Sequence, residues 1–235
     1  MATMTISFWR RLLDLVMPRA CAICGRRLTP SESTICASCL TELPFTRQWL
    51  SAYDNQMARL FWGSFPIERA AALWYYAPHS ECCNPIYNLK YHGSQETGIE
   101  LGFMAANYYN TAGFFDGIDA IVPVPLAPNR QRQRGYNQSL MIAKGVQSAT
   151  GLPIYNKVVR RTHFKGSQTQ KNTWQRQENV ADVFMLTDAA TISGKHLLIV
   201  DDVVTTGATV NACAQQLCRA GDVRISVLAL GFAKH

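Results

Sequence analysis

Several common signatures are missing from this chain, and each absence narrows the field. No window reaches the ~18–20 uninterrupted apolar residues of a membrane-spanning helix. The G-x-x-x-x-G-K-[ST] loop of nucleotide hydrolases does not occur, nor does the G-x-G-x-x-G turn of dinucleotide folds. Acidic residues are comparatively few, 16 against 23 Lys and Arg, for a net charge of +7. That balance favours anionic partners such as phosphates, nucleic acid or acidic headgroups; it serves solubility equally well and does not bear on fold. A secretory signal would need a longer apolar core than Ile6 to Met17 offers, and Asp14 interrupts it. That stretch is instead expected to form an amphipathic helix stopped by Pro18, packed on the rest of the protein or docked on a partner or membrane surface. A cytoplasmic location is therefore expected, where cysteines stay reduced and clusters of them suggest metal rather than disulfides.

What is present is concentrated in Lys195 to Thr209. Leu197 to Val200 are apolar at every position, as in a strand buried on both faces. Asp201 and Asp202 follow, then Thr205, Thr206, Gly207, Ala208 and Thr209, then a helix from Ala208 to Ala220 with Gly221 placed to end it. Carboxylates at this point can accept hydrogen bonds from vicinal ribose hydroxyls. The loop and helix start offer backbone N–H groups and the positive end of a helix dipole to a phosphate. Gly207 permits a turn and a close approach, and Thr205 or Thr206 can cap the helix. In open α/β sheets, ligands bind beyond the carboxyl ends of strands. A βα turn with an ordinary cap and two solvated acids is the plain alternative.

The eight cysteines divide into two groups. Cys21, Cys24, Cys36 and Cys39 form two CxxC pairs separated by eleven residues, a spacing suited to a closed tetrahedral four-cysteine zinc site with a structural role. A redox CxxC would be expected at a helix start in a βαβ context, which this region does not have. Cys213 and Cys218 fall within the last helix as small core residues, and adjacent Cys82 and Cys83 receive no role.

The middle of the chain reads as alternating strands and helices. Strands are expected over Arg69 to Tyr76, Ala120 to Leu126, Ile154 to Val159, Asp182 to Leu186 and Arg224 to Leu230. Helices are expected over Cys83 to Tyr91, Glu100 to Asn110 and Ser139 to Thr150. Residues 41–67 are too aromatic for a flexible linker and are expected to pack. His92 suits a turn better than a catalytic role. Asn129 to Gln138 reads as a loop in which Arg130 and Arg134 can clamp a pyrophosphate, because guanidinium forks match phosphate oxygens. A solvated basic loop, or one that tracks a nucleic-acid backbone, fits the same residues. The polar run from Arg160 to Val180, with Lys165, Gln168, Lys171 and Arg176, suits a lid over a phosphorylated ligand. It equally suits a single-strand surface, since Phe164 and Trp174 are interleaved with its basic residues.

The strand–DD–TTG-x-T order resembles the type I phosphoribosyltransferases. By that resemblance Asp201 and Asp202 hold the ribose hydroxyls of phosphoribosyl pyrophosphate and Thr205 to Thr209 cradle its 5′-phosphate. Taken with the CxxC pairs, Lys90-Tyr-His-Gly93, Pro123-Val-Pro125, Arg130 to Gln138, Gln168 and Arg176 to Val180, the chain resembles the competence protein F (ComF/GntX-like) family along nearly its whole length. His92 is a slight departure from the K-Y-x-G pattern. The resemblance implies an α/β fold, a type I phosphoribosyltransferase-like parallel sheet flanked by helices, behind a small N-terminal four-cysteine zinc module. The expected boundaries are 1–50 for the N-terminal helix and zinc module, 51–67 for a connecting segment and 68–235 for the phosphoribosyltransferase-type domain. It also implies use of external DNA at the cytoplasmic face of the membrane, single-stranded DNA and a helicase-like protein as partners, and Mg2+ accompanying phosphoribosyl pyrophosphate.

Three functions follow as expectations. One is a DNA-handling protein that keeps a phosphoribosyl pyrophosphate-type site. A second is a working Mg2+-dependent phosphoribosyltransferase acting on a nitrogenous acceptor, for which no catalytic residue and no acceptor site can be read. A third is a sensor of the ligand alone.

Overall fold

The computed structural model describes residues 18–91, 93–162 and 183–233. The expected N-terminal helix over 6–17, His92, and the lid residues Lys165, Gln168, Lys171 and Arg176 lie outside the described residues.

Four strands form one parallel sheet: β1 (Ile67–Tyr76), β2 (Ala120–Pro123), β5 (His196–Val204) and β6 (Arg224–Ala233), in the order β1-β6-β5-β2. A parallel bridge from Ile121 to Ile154 extends the sheet past β2 by one residue. A short antiparallel pair, β3 (Val159–Arg161) and β4 (Phe184–Leu186), stands apart. The strand expected over Ile154 to Val159 is thus reduced to that bridge, and regular pairing begins only at Val159.

Period-two alternation divides the core in two. Leu73, Leu198, Val200, Leu228 and Leu230 face one side, where they meet α3 (Asn84–Tyr91), α4 (Gln95–Asn110) and α6 (Gln138–Thr150) through Leu89, Leu101 and Ile142. Ala72, Leu197, Ile199, Val227 and Ala229 face the other, against α7 (Ala208–Cys218) through Val210 and Leu217, and against Phe184 of β4. Every position from Leu197 to Val200 is fully buried, because β5 has a strand on each side and a helical layer on each face.

Two appendages share these cores. Cys21, Ile23, Ile35 and Cys36 of the N-terminal module, which includes the short α1 (Ala37–Glu42), join the first core. Met57 and Ala58 of α2 (Gln56–Arg59), with Phe61 and Phe65, join the second. The aromatic segment 51–67 therefore packs on the sheet.

The helical layer is held unusually close where α4 crosses α6. A methyl group added at Gly102 would lie 2.1 Å from the Ile142 carbonyl oxygen, and one at Gly145 would lie 1.9 Å from that of Ile99. Backbone cannot yield as a flexible side chain can. Gly145→Ala is expected to cost at least the ~1–3 kcal/mol typical of overpacking, at ~2–4 °C of melting temperature per kcal/mol for a protein of this size. Thermal melting checks this, and an unchanged midpoint would contradict it.

Candidate functional site

All four strands of the sheet point the same way, so their carboxyl ends share one edge. β2 stops pairing at Pro123, opposite Val200, and Val124 donates one further hydrogen bond to the Val200 carbonyl at 3.0 Å. Prolines at 123 and 125 have no N–H with which to extend that ladder. β5 runs on to Val204, so Asp201 and Asp202 lie inside the strand, beyond the end of its neighbour. The strand is longer than the apolar run alone suggested, because β6 continues to pair with it, Asp201 opposite Ala229 and Val204 opposite Phe232.

The two carboxylates meet different partners. Asp202 Oδ1 lies 3.0 Å from Lys90 Nζ at the end of α3. Asp201 Oδ1 accepts hydrogen bonds from Ser139 Oγ at 3.0 Å and from the Asp202 N–H at 2.9 Å. Burial, reinforced by the neighbouring Asp202 charge, pushes the Asp201 carboxyl up to about 7; its two hydrogen bonds and Lys90 oppose the shift. Ser139 is itself positioned by Asn137, whose Oδ1 accepts from the Ser139 N–H at 3.1 Å and whose Nδ2 donates to the Val124 carbonyl at 2.9 Å. Arg161 of β3 is a further participant. Burial and the nearby Arg130 lower its pKa, while Asp201 raises it, so it stands within the field of both.

Beyond Val204 the chain turns through Thr205 and Thr206, both exposed, into Gly207 at φ 75°. Gly207 is itself the residue that precedes α7, and no side chain caps the helix. Thr206 Oγ1 comes only to 3.5 Å of the Ala208 N–H, so the expected threonine cap is not formed. Glycine has two reasons to be here. The left-handed backbone is one. The other is Phe61, whose ring would stand 2.8 Å from a β-carbon. The close approach expected at Gly207 therefore involves Phe61, which supports the loop from beneath, while Ala208 is exposed and Thr209 partly so.

The arginine-rich stretch departs from its expected form. It is a helix, α5 (Pro128–Arg134), with Pro in its first turn and Gly135 closing it at φ 78°. Arg130 and Arg134 are thus one turn apart on one side of a helix with no buried residue. The Arg134 guanidinium lies 5.4 Å from the centre of the Tyr91 ring. Lys90, Tyr91, Gly93, Arg130, Gln133 and Arg134 together line a cavity of about 600 Å³. On the far side of α5, a second cavity of about 500 Å³ touches Pro123, Gln131, Asn137 and Arg161.

The cysteines of the N-terminal module converge. The four Sγ atoms of Cys21, Cys24, Cys36 and Cys39 all lie within 4.8 Å of one another, and those of Cys24 and Cys36 are 3.8 Å apart. A tetrahedron with Zn–S bonds of ~2.3 Å sets its sulfurs about 3.8 Å apart, so the cluster fits zinc. Gly25, at φ 73°, donates its N–H to the Cys21 carbonyl at 2.9 Å and closes the first knuckle. The knuckle rests on α3: Asn84 Nδ2 donates to the Ile23 carbonyl at 2.8 Å and Asn88 Nδ2 to that of Ala22 at 3.3 Å. Cys213 is buried in α7, as expected for a core residue.

Comparison with known proteins bears on the whole chain. A double zinc ribbon domain model matches residues 12–50, and a phosphoribosyl transferase domain model matches residues 138–231. DNA utilization protein YhgH of Escherichia coli K12 is 30% identical over 213 residues, covering 89% of this chain and 88% of that protein. The chain belongs to this DNA utilization and competence protein family. Competence protein F of Haemophilus influenzae is 32% identical over 116 residues, 49% of this chain and 51% of that protein. Competence protein ComFC of Bacillus subtilis is 29% identical over 101 residues, 43% of this chain and 39% of that protein. Family membership accords with the fold: a phosphoribosyltransferase-type parallel sheet flanked by helices, with a four-cysteine module in front.

Sequence reasoning passed over Lys90, Ser139 and Arg161 as site residues. Lys90 had a usable signal, the Lys90-Tyr-His-Gly93 motif. Ser139 stands just inside a helix that follows a strand and a polar segment, the same order as in the acid motif. Arg161 had none.

The raised Asp201 carboxyl has a consequence for stability. Its pKa rises on folding from the ordinary 3.8 to about 7, so its contribution is fully present below the lower value and is lost as pH rises through the upper one. The melting temperature of the unaltered protein is expected to fall relative to Asp201→Asn as pH goes from about 5 to about 8. Melting curves of the two proteins across that range check this, and a constant difference between them would contradict it.

Proposed function

We propose that this member of the DNA utilization and competence family binds phosphoribosyl pyrophosphate or a close relative at the carboxyl edge of its sheet and couples that site to the handling of single-stranded DNA. The observation that carries the reading is that Asp201 and Asp202, followed by the exposed Thr205–Thr206 turn, stand where β5 outruns β2, with Asp202 paired to Lys90, which shares a cavity with Arg130 and Arg134. In this reading the carboxylates take the ribose hydroxyls, with Lys90 and Ser139 holding them in place. The exposed turn and the start of α7 take the 5′-phosphate. Arg130 and Arg134 take the pyrophosphate.

Mg2+ fits this donor set as a companion of the ligand. Among the described residues, the only group of three or more acids, histidines or cysteines able to share an ion is the four-cysteine cluster, so no protein cage stands ready for a hard cation. Mg2+ is commonly held by ligand phosphates, one or two carboxylates and water. Bound so, it would offset charge on the pyrophosphate.

DNA handling is supported by the family's names, the net charge of +7 and the arginine helix. No helix among the described residues is long and apolar enough to cross a membrane. A cytoplasmic setting and a helicase-like partner belong to the same reading and rest on the resemblance. So does the division into a zinc module over 1–50, a connecting segment over 51–67 and a ligand-binding domain over 68–235. The second reading, a working phosphoribosyltransferase, is favoured by the intact acid pair and phosphate turn. Catalysis would then consist chiefly of positioning and charge stabilisation.

Calorimetric titration with phosphoribosyl pyrophosphate and Mg2+ tests the site. Asp202→Asn is expected to weaken binding about tenfold or more, as loss of a charged hydrogen-bond acceptor does, with little change in melting temperature. Unchanged affinity, or no binding to the unaltered protein, would contradict the assignment. Pyrophosphate release across nucleobases and amines separates the two readings, and release with any acceptor would establish turnover.

A further inference from the structure

Two tyrosines on α3 stand out against the polar surface around them. Tyr87 is 55% exposed and Tyr91 is 63% exposed, although their rings are large and apolar. They are one helical turn apart, with ring centres 5.2 Å from each other and planes tilted by 40°. The Arg134 guanidinium lies 5.4 Å from the Tyr91 centre, and Tyr91 shares the 600 Å³ cavity with Lys90, Arg130 and Gln133. Among the described residues, no aliphatic side chain lines that cavity.

This composition points to a particular kind of partner. A protein partner's apolar face would want Leu, Ile or Met around the rings, and the cavity offers cations and an amide instead. Exposed aromatic rings beside Lys and Arg suit a ligand that presents a flat π-face and, one bond network away, a negative charge. Helical spacing sets the tyrosines between two functional faces of α3: Asn84 and Asn88, which hold the zinc knuckle, and Lys90, which reaches Asp202. A strand lying along the pair would pass between the zinc module and the acid pair.

We propose that Tyr87 and Tyr91 form a stacking platform for a base of single-stranded nucleic acid, with Arg134 and Arg130 facing the adjoining phosphates when no pyrophosphate occupies them. The proposal rests on the DNA-handling half of the reading above and adds where the strand lies. It requires no movement of buried residues, since both rings are already open to solvent.

The test uses the full-length zinc-loaded protein and a short single-stranded oligonucleotide carrying one 2-aminopurine, whose fluorescence is quenched when it stacks. The unaltered protein is expected to quench the probe. Tyr91→Ala is expected to lose the quenching and weaken binding roughly tenfold or more, the scale of one stacked base. Tyr91→Phe is expected to keep both, and Tyr87→Ala serves as a second variant should Tyr91→Ala melt early. An oligonucleotide abasic at the probe position is expected to bind the unaltered protein as weakly as the intact one binds Tyr91→Ala. If the intact strand binds Tyr91→Ala and Tyr87→Ala with unchanged affinity and quenching, the platform is refuted while DNA handling stands. If the unaltered protein binds no strand, both fail. If 2-aminopurine mononucleotide binds and is quenched as strongly as the oligonucleotide, the occupant is a free nucleotide and the strand assignment is refuted.

Discussion

Two carboxylates stand next to each other where β5 leaves the core, and the protein must hold both. Withdrawing a charge from water is costly unless it is paired or protonated. Each acid is managed differently. Asp202 meets a lysine at 3.0 Å. Asp201 accepts from a hydroxyl and a backbone N–H, and its pKa is raised to about 7. A solvated pair at a strand end would need none of this. The surrounding chain is arranged around the pair: β2 ends early, Ser139 in the first turn of α6 donates to Asp201, Lys90 in the last turn of α3 pairs with Asp202, and Arg161 lies within the field of Asp201.

The two appendages can be understood from the same constraint. The zinc knuckle offers the carbonyls of Ala22 and Ile23 to Asn88 and Asn84, and so fixes the helix whose last turn carries Lys90. The connecting segment places Phe61 under Gly207 and so supports the turn that follows the acids. A structural metal on one flank and an aromatic segment on the other thus both act on the geometry of one edge of the sheet. Metal binding contributes folding free energy to a segment that has little core of its own.

Much of this was legible in the chain. The run from Leu197 to Thr209 carries strand, acids, turn and helix in order, and local sequence decides each of them. The cysteine spacing likewise announces its cluster. The arginine stretch misled for a definite reason: α5 buries no residue, so it has no apolar stripe, and only Pro128 at its start and Gly135 after its end marked it as a helix. Ile154 to Val159 is apolar enough for a strand, yet it joins the sheet only through the bridge at Ile154, where the Tyr155 N–H donates to the Ile121 carbonyl. Lys90, Ser139 and Arg161 were hidden because their roles depend on which helix end and which strand the fold brings to the acids. That is set by tertiary packing of residues distant in sequence, which periodicity does not report. The same holds for Phe61, whose purpose is visible only against the space a β-carbon at Gly207 would occupy.

The central claim is that the edge where β5 outruns β2 is built to receive a phosphorylated sugar. A crystal structure of the protein with phosphoribosyl pyrophosphate and Mg2+ tests it most directly. The account predicts ribose hydroxyls on Asp201 and Asp202, the 5′-phosphate against Thr205 to Thr209 and the pyrophosphate toward Arg130 and Arg134. Ligand bound elsewhere, or the turn empty at saturating ligand, would contradict it.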